Sequence, residues 1–179
     1  PMVSASGRTA IVFNGEVYNS EALATEHLEH HARRTSGDTE VLLEVIEREG
    51  IQAVEQFNGM FALAILDTES GRVWLTRDRM GKKPLYLYER EGLLAFGSEL
   101  RCLRPFGSQL NPRFAELFLH FGYVPAPFTM FTDTTQVAPG EIVEVSRSRI
   151  IHRSFYHRFS AQPWSRTDCN FDRLQANLH

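Results

Sequence analysis

Gly59-Met-Phe-Ala-Leu-Ala-Ile-Leu-Asp67 holds seven consecutive apolar residues between a glycine and an aspartate. A run that short, bounded by turn formers, reads as a strand. The apolar residues do not alternate with polar ones, so both faces of the strand must be covered. Working outward, Val73-Trp-Leu-Thr76 follows the turn Glu69-Ser-Gly71. Leu85-Tyr-Leu-Tyr88 and Leu93-Leu-Ala-Phe96 flank a turn from Glu89 to Gly92. Four strands with hairpin-like connections predict a mainly antiparallel sheet. Helices can cover one of its faces and a second sheet the other, which gives an α+β layered architecture.

Upstream, Thr9-Ala-Ile-Val-Phe13 reads as a strand that ends in a turn at Asn14-Gly15. A helix capped by Asn19 or Ser20 is expected to run to about His31, with Leu23 and Leu28 on its apolar face. Val41, Leu42, Val45 and Ile46 recur at helical spacing and predict a helix over 39–49, closed by Gly50. A short further helix is expected over 51–57. Asn111-Pro112 is expected to open another helix that stops at Gly122. Strands are expected at 142–145 and 150–156, and a linker from 157 onward that turns helical over 171–178.

Composition narrows the function. The 179 residues suit one domain, or one domain with a connecting segment. Hydrophobic residues at 42% suffice for a core, and a net charge of −3 argues against nucleic acid or anionic lipid as partner. No apolar run is long enough to span a membrane and no leader is visible, so a cytoplasmic protein is expected. The two cysteines, Cys102 and Cys169, are far apart and do not form a disulfide framework. Cys102, set among leucines, is expected to be a buried, inert thiol. A start at Pro1-Met2 suggests a chain cut from something longer.

Two motifs invite chemistry. Asn14-Gly15-Glu16 is either an ordinary hairpin turn or an oxyanion hole, with a carboxamide and an adjacent N–H aimed at one oxygen. Ser36-Gly-Asp-Thr-Glu40 either caps a helix through Ser36 or Asp38, or presents Asp38 to a ligand ammonium; both can hold. His27 and His31 lie one helical turn apart but lack a third ligand, so no metal site is expected. Arg77, Arg79, Lys82 and Lys83 read as a charged loop in which Arg77 and Asp78 form a structural pair.

Taken in order, Val12-Phe-Asn-Gly-Glu-Val-Tyr-Asn19, Ser36-Gly-Asp-Thr-Glu-Val-Leu-Leu43, Asn58-Gly-Met-Phe-Ala-Leu-Ala64, Thr76-Arg-Asp-Arg-Met-Gly-Lys-Lys-Pro-Leu-Tyr86 and Phe96-Gly-Ser-Glu-Leu100 resemble the N-terminal glutaminase domain of glutamine-hydrolysing asparagine synthetase, a class II glutamine amidotransferase. Phe121-Gly-Tyr-Val-Pro-Ala-Pro127 and Val137-Ala-Pro-Gly-Glu141 continue the likeness. The resemblance implies an N-terminal-nucleophile hydrolase: a sandwich of two antiparallel sheets with helices outside (αββα), incomplete at its N-terminus. It implies a partial glutaminase domain over 1–157 and a linker over 158–179 toward a synthetase domain. By position, Asn14 and Gly15 would form the oxyanion hole, and Asn14, Gly15, Glu16 and Asp38 would hold L-glutamine. The family's nucleophile is an N-terminal Cys, expected upstream of Pro1, so the chain as given is expected to be inactive alone. No cofactor is expected in this chain; ATP and Mg²⁺ would serve the synthetase domain, which amidates aspartate with the released ammonia. A homodimer is compatible with this reading. A related amidotransferase with another ammonia acceptor, and a non-catalytic interaction domain, are the alternatives. Gly97 stands where the family more often has Ala.

Overall fold

A computed structural model describes residues 1–106 and 109–158. The strands are β1 (Met2–Val3), β2 (Thr9–Val17), β3 (Gly59–Asp67), β4 (Arg72–Arg77), β5 (Tyr86–Arg90), β6 (Leu93–Gly97), β7 (Thr134–Gln136), β8 (Glu141–Ser146) and β9 (Arg149–Phe155). The helices are α1 (Ser20–His27), α2 (Asp38–Glu49), α3 (Leu100–Leu103) and α4 (Phe114–Phe121), with 3-10 turns at Ile51–Gln56 and Arg104–Phe106. All pairings are antiparallel. One sheet has six strands in the order β1-β2-β3-β4-β8-β9, and the other has three in the order β6-β5-β7.

The apolar run of β3 explains the layering. Its large residues Phe61, Leu63 and Ile65 face α2, where they meet Val41, Leu42, Val45 and Ile46. Its small residues Ala62 and Ala64, with Leu75 and Val143 of the same sheet, face Leu85 and Leu87 on the other side of the second core. Side chains alternate across a strand, so one sequence run serves two different cores. Each fully buried Leu or Phe contributes about 1.5–3 kcal/mol. That packing anchors α2, whose first turn begins after Gly37 with no side-chain cap. On the far side of the three-stranded sheet, Tyr88 is buried and donates its hydroxyl to the carbonyl of Phe106 (2.9 Å). The architecture is therefore α+β, two antiparallel sheets with helices outside.

Between the sheets the chain crosses over residues 78–85, and Asp78 knots this crossing. Its buried carboxylate accepts N–H groups from Phe61 (3.2 Å), Met80 (3.0 Å), Lys82 (2.9 Å) and Lys83 (3.0 Å). Arg77, also buried, donates to the carbonyls of Val137 (2.8 Å) and Gly81, and Arg79 donates to those of Phe57 (2.7 Å) and Glu55. Each of the three therefore fastens backbone rather than presenting charge to a partner. Tyr156 closes the far end of the sheet, donating its hydroxyl to the Arg77 carbonyl (2.9 Å).

Several expectations differ from the structure. Asn14-Gly15 is not a turn: β2 runs straight through it, because residues 9–17 pair without interruption with 59–67. Helix α1 ends at His27, so His27 and His31 do not share a helix face. His27 binds Gln56 (2.8 Å), whereas His31 faces Glu40 at 3.5 Å. Asn111 does not cap α4, which starts at Phe114; its carboxamide oxygen instead closes a turn onto the Arg113 N–H (3.0 Å). Cys102 is exposed, because the short helix α3 buries Leu103 and turns the thiol outward. β1, β7 and α3 carried too few residues to be read as elements. The linker over 158–179 and the helix expected at 171–178 lie, apart from residue 158, outside the described residues, as does Cys169. Among the described residues no helix is long and apolar enough to cross a membrane.

Candidate functional site

Strand pairing sets which groups on β2 are free. Gly15 sits opposite Phe61. The Phe61 N–H is given to Asp78 Oδ2 and its carbonyl accepts from the Asp78 N–H (2.8 Å), both away from β2. Gly15 and Phe61 are thus a non-hydrogen-bonded pair, and the Gly15 N–H points out of the ladder. Val17, two residues on, points its N–H the same way and donates it to Asp38 Oδ2 (2.9 Å). On this outer side β1 pairs only with Ala10 and Ile11. The Gly15 N–H therefore faces an open edge, the edge on which Asp38 sits.

Two glycines let the strands meet this closely. A Cβ on Gly15 would stand 2.1 Å from the Met60 carbonyl oxygen and 2.7 Å from Phe61 Cα. A Cβ on Gly59 would stand 2.2 Å from the Glu16 carbonyl oxygen. Gly15 also has φ of 155°, a conformation that side chains disfavour.

Asn14 and Glu16 project from the opposite face to Gly15, by alternation, and both are exposed. Asn14 lines a cleft of about 130 Å³ between the sheets, floored by Ala62, Ala64, Leu85 and Phe96. Its Nδ2 donates to Ser98 Oγ (3.1 Å) in the turn after β6. Glu16 and Asp38 do not line this cleft. Glu16 sits two residues farther along β2, about 7 Å from Asn14, and Asp38, the first residue of α2, meets the strand one residue beyond it, at the Val17 N–H. Such a spacing suits a ligand lying lengthwise along the edge better than one enclosed in a cavity. A larger hollow of about 350 Å³, walled by Tyr86, Phe114, Phe118 and Phe128, lies elsewhere and holds none of these groups.

The loop before α2 holds Asp38 in place through Glu40. This fully buried carboxylate accepts the N–H groups of Arg34 (2.8 Å) and Thr35 (2.6 Å) and the Thr35 hydroxyl (2.7 Å). Burial pushes its pKa up, but the hydrogen bonds from Arg34 and Thr35 outweigh it and hold the carboxyl at about 2. The sequence reading gave Ser36 or Asp38 as the cap. The structure uses Glu40 to reach back to the loop and leaves Asp38 for Val17. Because the folded pKa lies below that of the unfolded chain, Glu40 stabilises the fold above the ordinary carboxylate range, and this is lost as pH falls toward 2. Glu40→Gln is therefore expected to flatten the acid side of the stability curve between pH 5 and pH 2, as read from urea midpoints. An unchanged curve would refute the assignment.

Of the four residues singled out in the sequence, Asn14, Gly15 and Glu16 are consecutive on β2, and Asp38 is tied to the next residue, Val17. Ser98, which joins this group through Asn14, is not among the four. Its only signal was membership of a motif. Among the described residues no group of three or more His, Cys, Asp or Glu is placed to hold a metal ion.

Residues 1–156 match the family model described as a glutamine amidotransferase domain, and the chain belongs to that family. It is 35% identical over 130 residues to a Methanocaldococcus jannaschii protein provisionally named asparagine synthetase (glutamine-hydrolyzing) 2, covering 69% of this chain and 25% of that one. It is 33% identical over 106 residues to asparagine synthetase B (glutamine-hydrolyzing) of Escherichia coli strain K12, covering 59% and 19% respectively. The chain thus spans a quarter or less of the length of these two relatives. Its fold matches glutamine phosphoribosylpyrophosphate amidotransferase from B. subtilis, solved with ADP and GMP, at a TM-score of 0.59 and 19% identity, over 87% of this chain and 31% of that one.

Proposed function

We propose that the open edge of β2 binds L-glutamine, as the glutaminase part of a longer, glutamine-hydrolysing asparagine synthetase. The supporting observation is the unpaired Gly15 N–H, facing the same edge as Asp38 and adjacent in sequence to the Asn14 carboxamide. In this reading Asn14 Nδ2 and Gly15 N–H donate to the amide oxygen of glutamine. Both bonds strengthen as that oxygen gains negative charge during nucleophilic attack. Asp38 offers the α-ammonium Oδ1, which also accepts from the Thr39 hydroxyl (3.4 Å), while Oδ2 holds Val17, and Glu16, one residue before Val17, adds a second carboxylate.

Attack by a thiolate would place the carbonyl electron pair on this oxygen. Collapse would release ammonia and leave a glutamyl thioester for water to cleave to glutamate. Cys102 is exposed on α3 and Cys169 lies outside the described residues, so the proposal assigns the thiol to neither. The chain itself then contributes binding and oxyanion stabilisation. The ATP- and Mg²⁺-dependent amidation of aspartate belongs to the remainder of a protein of the relatives' length.

Titrating the ¹⁵N-labelled chain with L-glutamine tests this. The largest shifts are expected at the Asn14 side-chain amide and the Gly15 and Val17 N–H groups. Asn14→Ala is expected to weaken binding about tenfold. No response at millimolar glutamine, or shifts confined to the hollow beside Phe118, would overturn the proposal.

A further inference from the structure

An exposed asparagine on a strand is a poor oxyanion donor unless something fixes it. Its χ1 and χ2 rotate, and its oxygen and nitrogen ends are nearly equal in shape. Only the nitrogen end can stabilise negative charge. The structure offers one group that restrains the carboxamide and meets its nitrogen end. Ser98 Oγ lies 3.1 Å from Asn14 Nδ2, reaching across from the other sheet.

We infer that Ser98 is a positioning residue for the Asn14 carboxamide, an inference that rests on the glutamine-site reading above. A carboxamide carries two N–H bonds. Ser98 accepts one of them and thereby holds the nitrogen at the cleft, leaving the second N–H free for the substrate oxygen. Ser98 is itself fixed by the backbone. The preceding Gly97 pairs with Tyr86, and the following Glu99 carbonyl accepts from the Cys102 N–H (3.1 Å) as α3 begins. The contact joins the end of β6 to the middle of β2 across 84 positions of sequence, so the aim of Asn14 depends on how the two sheets are seated.

The test uses the ¹⁵N-labelled chain with Ser98→Ala and Ser98→Thr. In the parent chain the two Asn14 side-chain protons are expected to give well-separated signals that exchange slowly with water. Ser98→Ala is expected to bring them together, speed their exchange and weaken L-glutamine binding about three- to tenfold. Ser98→Thr keeps the hydroxyl and is expected to restore both properties. Backbone signals away from β2 and β6 should stay in place, which separates a local change from misfolding. If glutamine shifts the Asn14 signals equally in the parent chain and in Ser98→Ala, the inference fails while the glutamine site stands. If glutamine leaves Asn14 unmoved in the parent chain, the site reading fails and takes this inference with it.

Discussion

Replacing Asp78 with alanine is expected to lower the thermal midpoint by about 10 °C or more, or to prevent folding altogether. The carboxylate accepts four backbone N–H groups, and the substitution strands the Phe61 N–H in a buried place and the other three in partly buried ones. Hydrogen bonds to a buried charge are worth about 1.5–3 kcal/mol each, though they do not add fully. A net cost of about 4 kcal/mol is a large share of a total stability of about 5–15 kcal/mol. For a domain of this size each kcal/mol moves the midpoint by about 2–4 °C. Asp78→Asn retains one acceptor oxygen of the two and is expected to fall between. The damage should spread to both sheets, because Phe61 belongs to β3 while Lys82 and Lys83 lead into β5. A melt of Asp78→Ala within a few degrees of the parent chain would show that water satisfies these groups instead.

The second large effect is expected at Gly15. A methyl there would lie 2.1 Å from the Met60 carbonyl oxygen, well inside contact distance, and the obstacle is backbone that cannot swing aside. Gly15→Ala must therefore part β2 from β3 near the open edge of the larger sheet, on top of the strain of φ at 155°. A loss of about 3 kcal/mol or more follows, measurable as a shift in the urea midpoint. Gly37→Ala is the control. The nearest atom to its added methyl is 3.9 Å away, and a loss of no more than about 1 kcal/mol is expected, because alanine caps a helix less well than glycine. Equal midpoints for the two variants would contradict the steric account. The result also bears on how the site is probed. Gly15 has a structural reason to be glycine whatever its N–H does, so lost binding in a Gly15 variant says little about chemistry. Asn14 and Ser98 are the informative positions.

The layered architecture was readable because the run 60–66 demanded cover on both faces, and both covers exist. The division of its large and small residues between two cores followed from strand alternation alone. Asn14-Gly15 misled because the dipeptide is a strong local turn signal. Here a nine-residue ladder overrides it, and the glycine serves close strand contact instead. Asp78 was read as half of an ion pair with Arg77. Its true partners are backbone N–H groups, which every residue but proline carries and no sequence pattern marks. The site was legible only through a motif resemblance, since nothing local says that the N–H of residue 15 is unpaired. That fact comes from Phe61 turning its polar groups toward Asp78. Ser98 was hidden for the same reason. Its partner lies in the other sheet, and only the stacking of the sheets brings the two together.

Helix α4 has apolar side chains around nearly its whole circumference and buries none of them fully. Phe118, Leu119 and Phe121 form an oily ridge in contact with solvent. In colloidal terms, such ridges give molecules a short-range attraction for one another. A net charge of −3 supplies little long-range repulsion to oppose it. Added salt weakens even that repulsion while leaving the ridge untouched. The dispersed state of this chain is thus governed less by how tightly it is folded than by how far apart its molecules are kept.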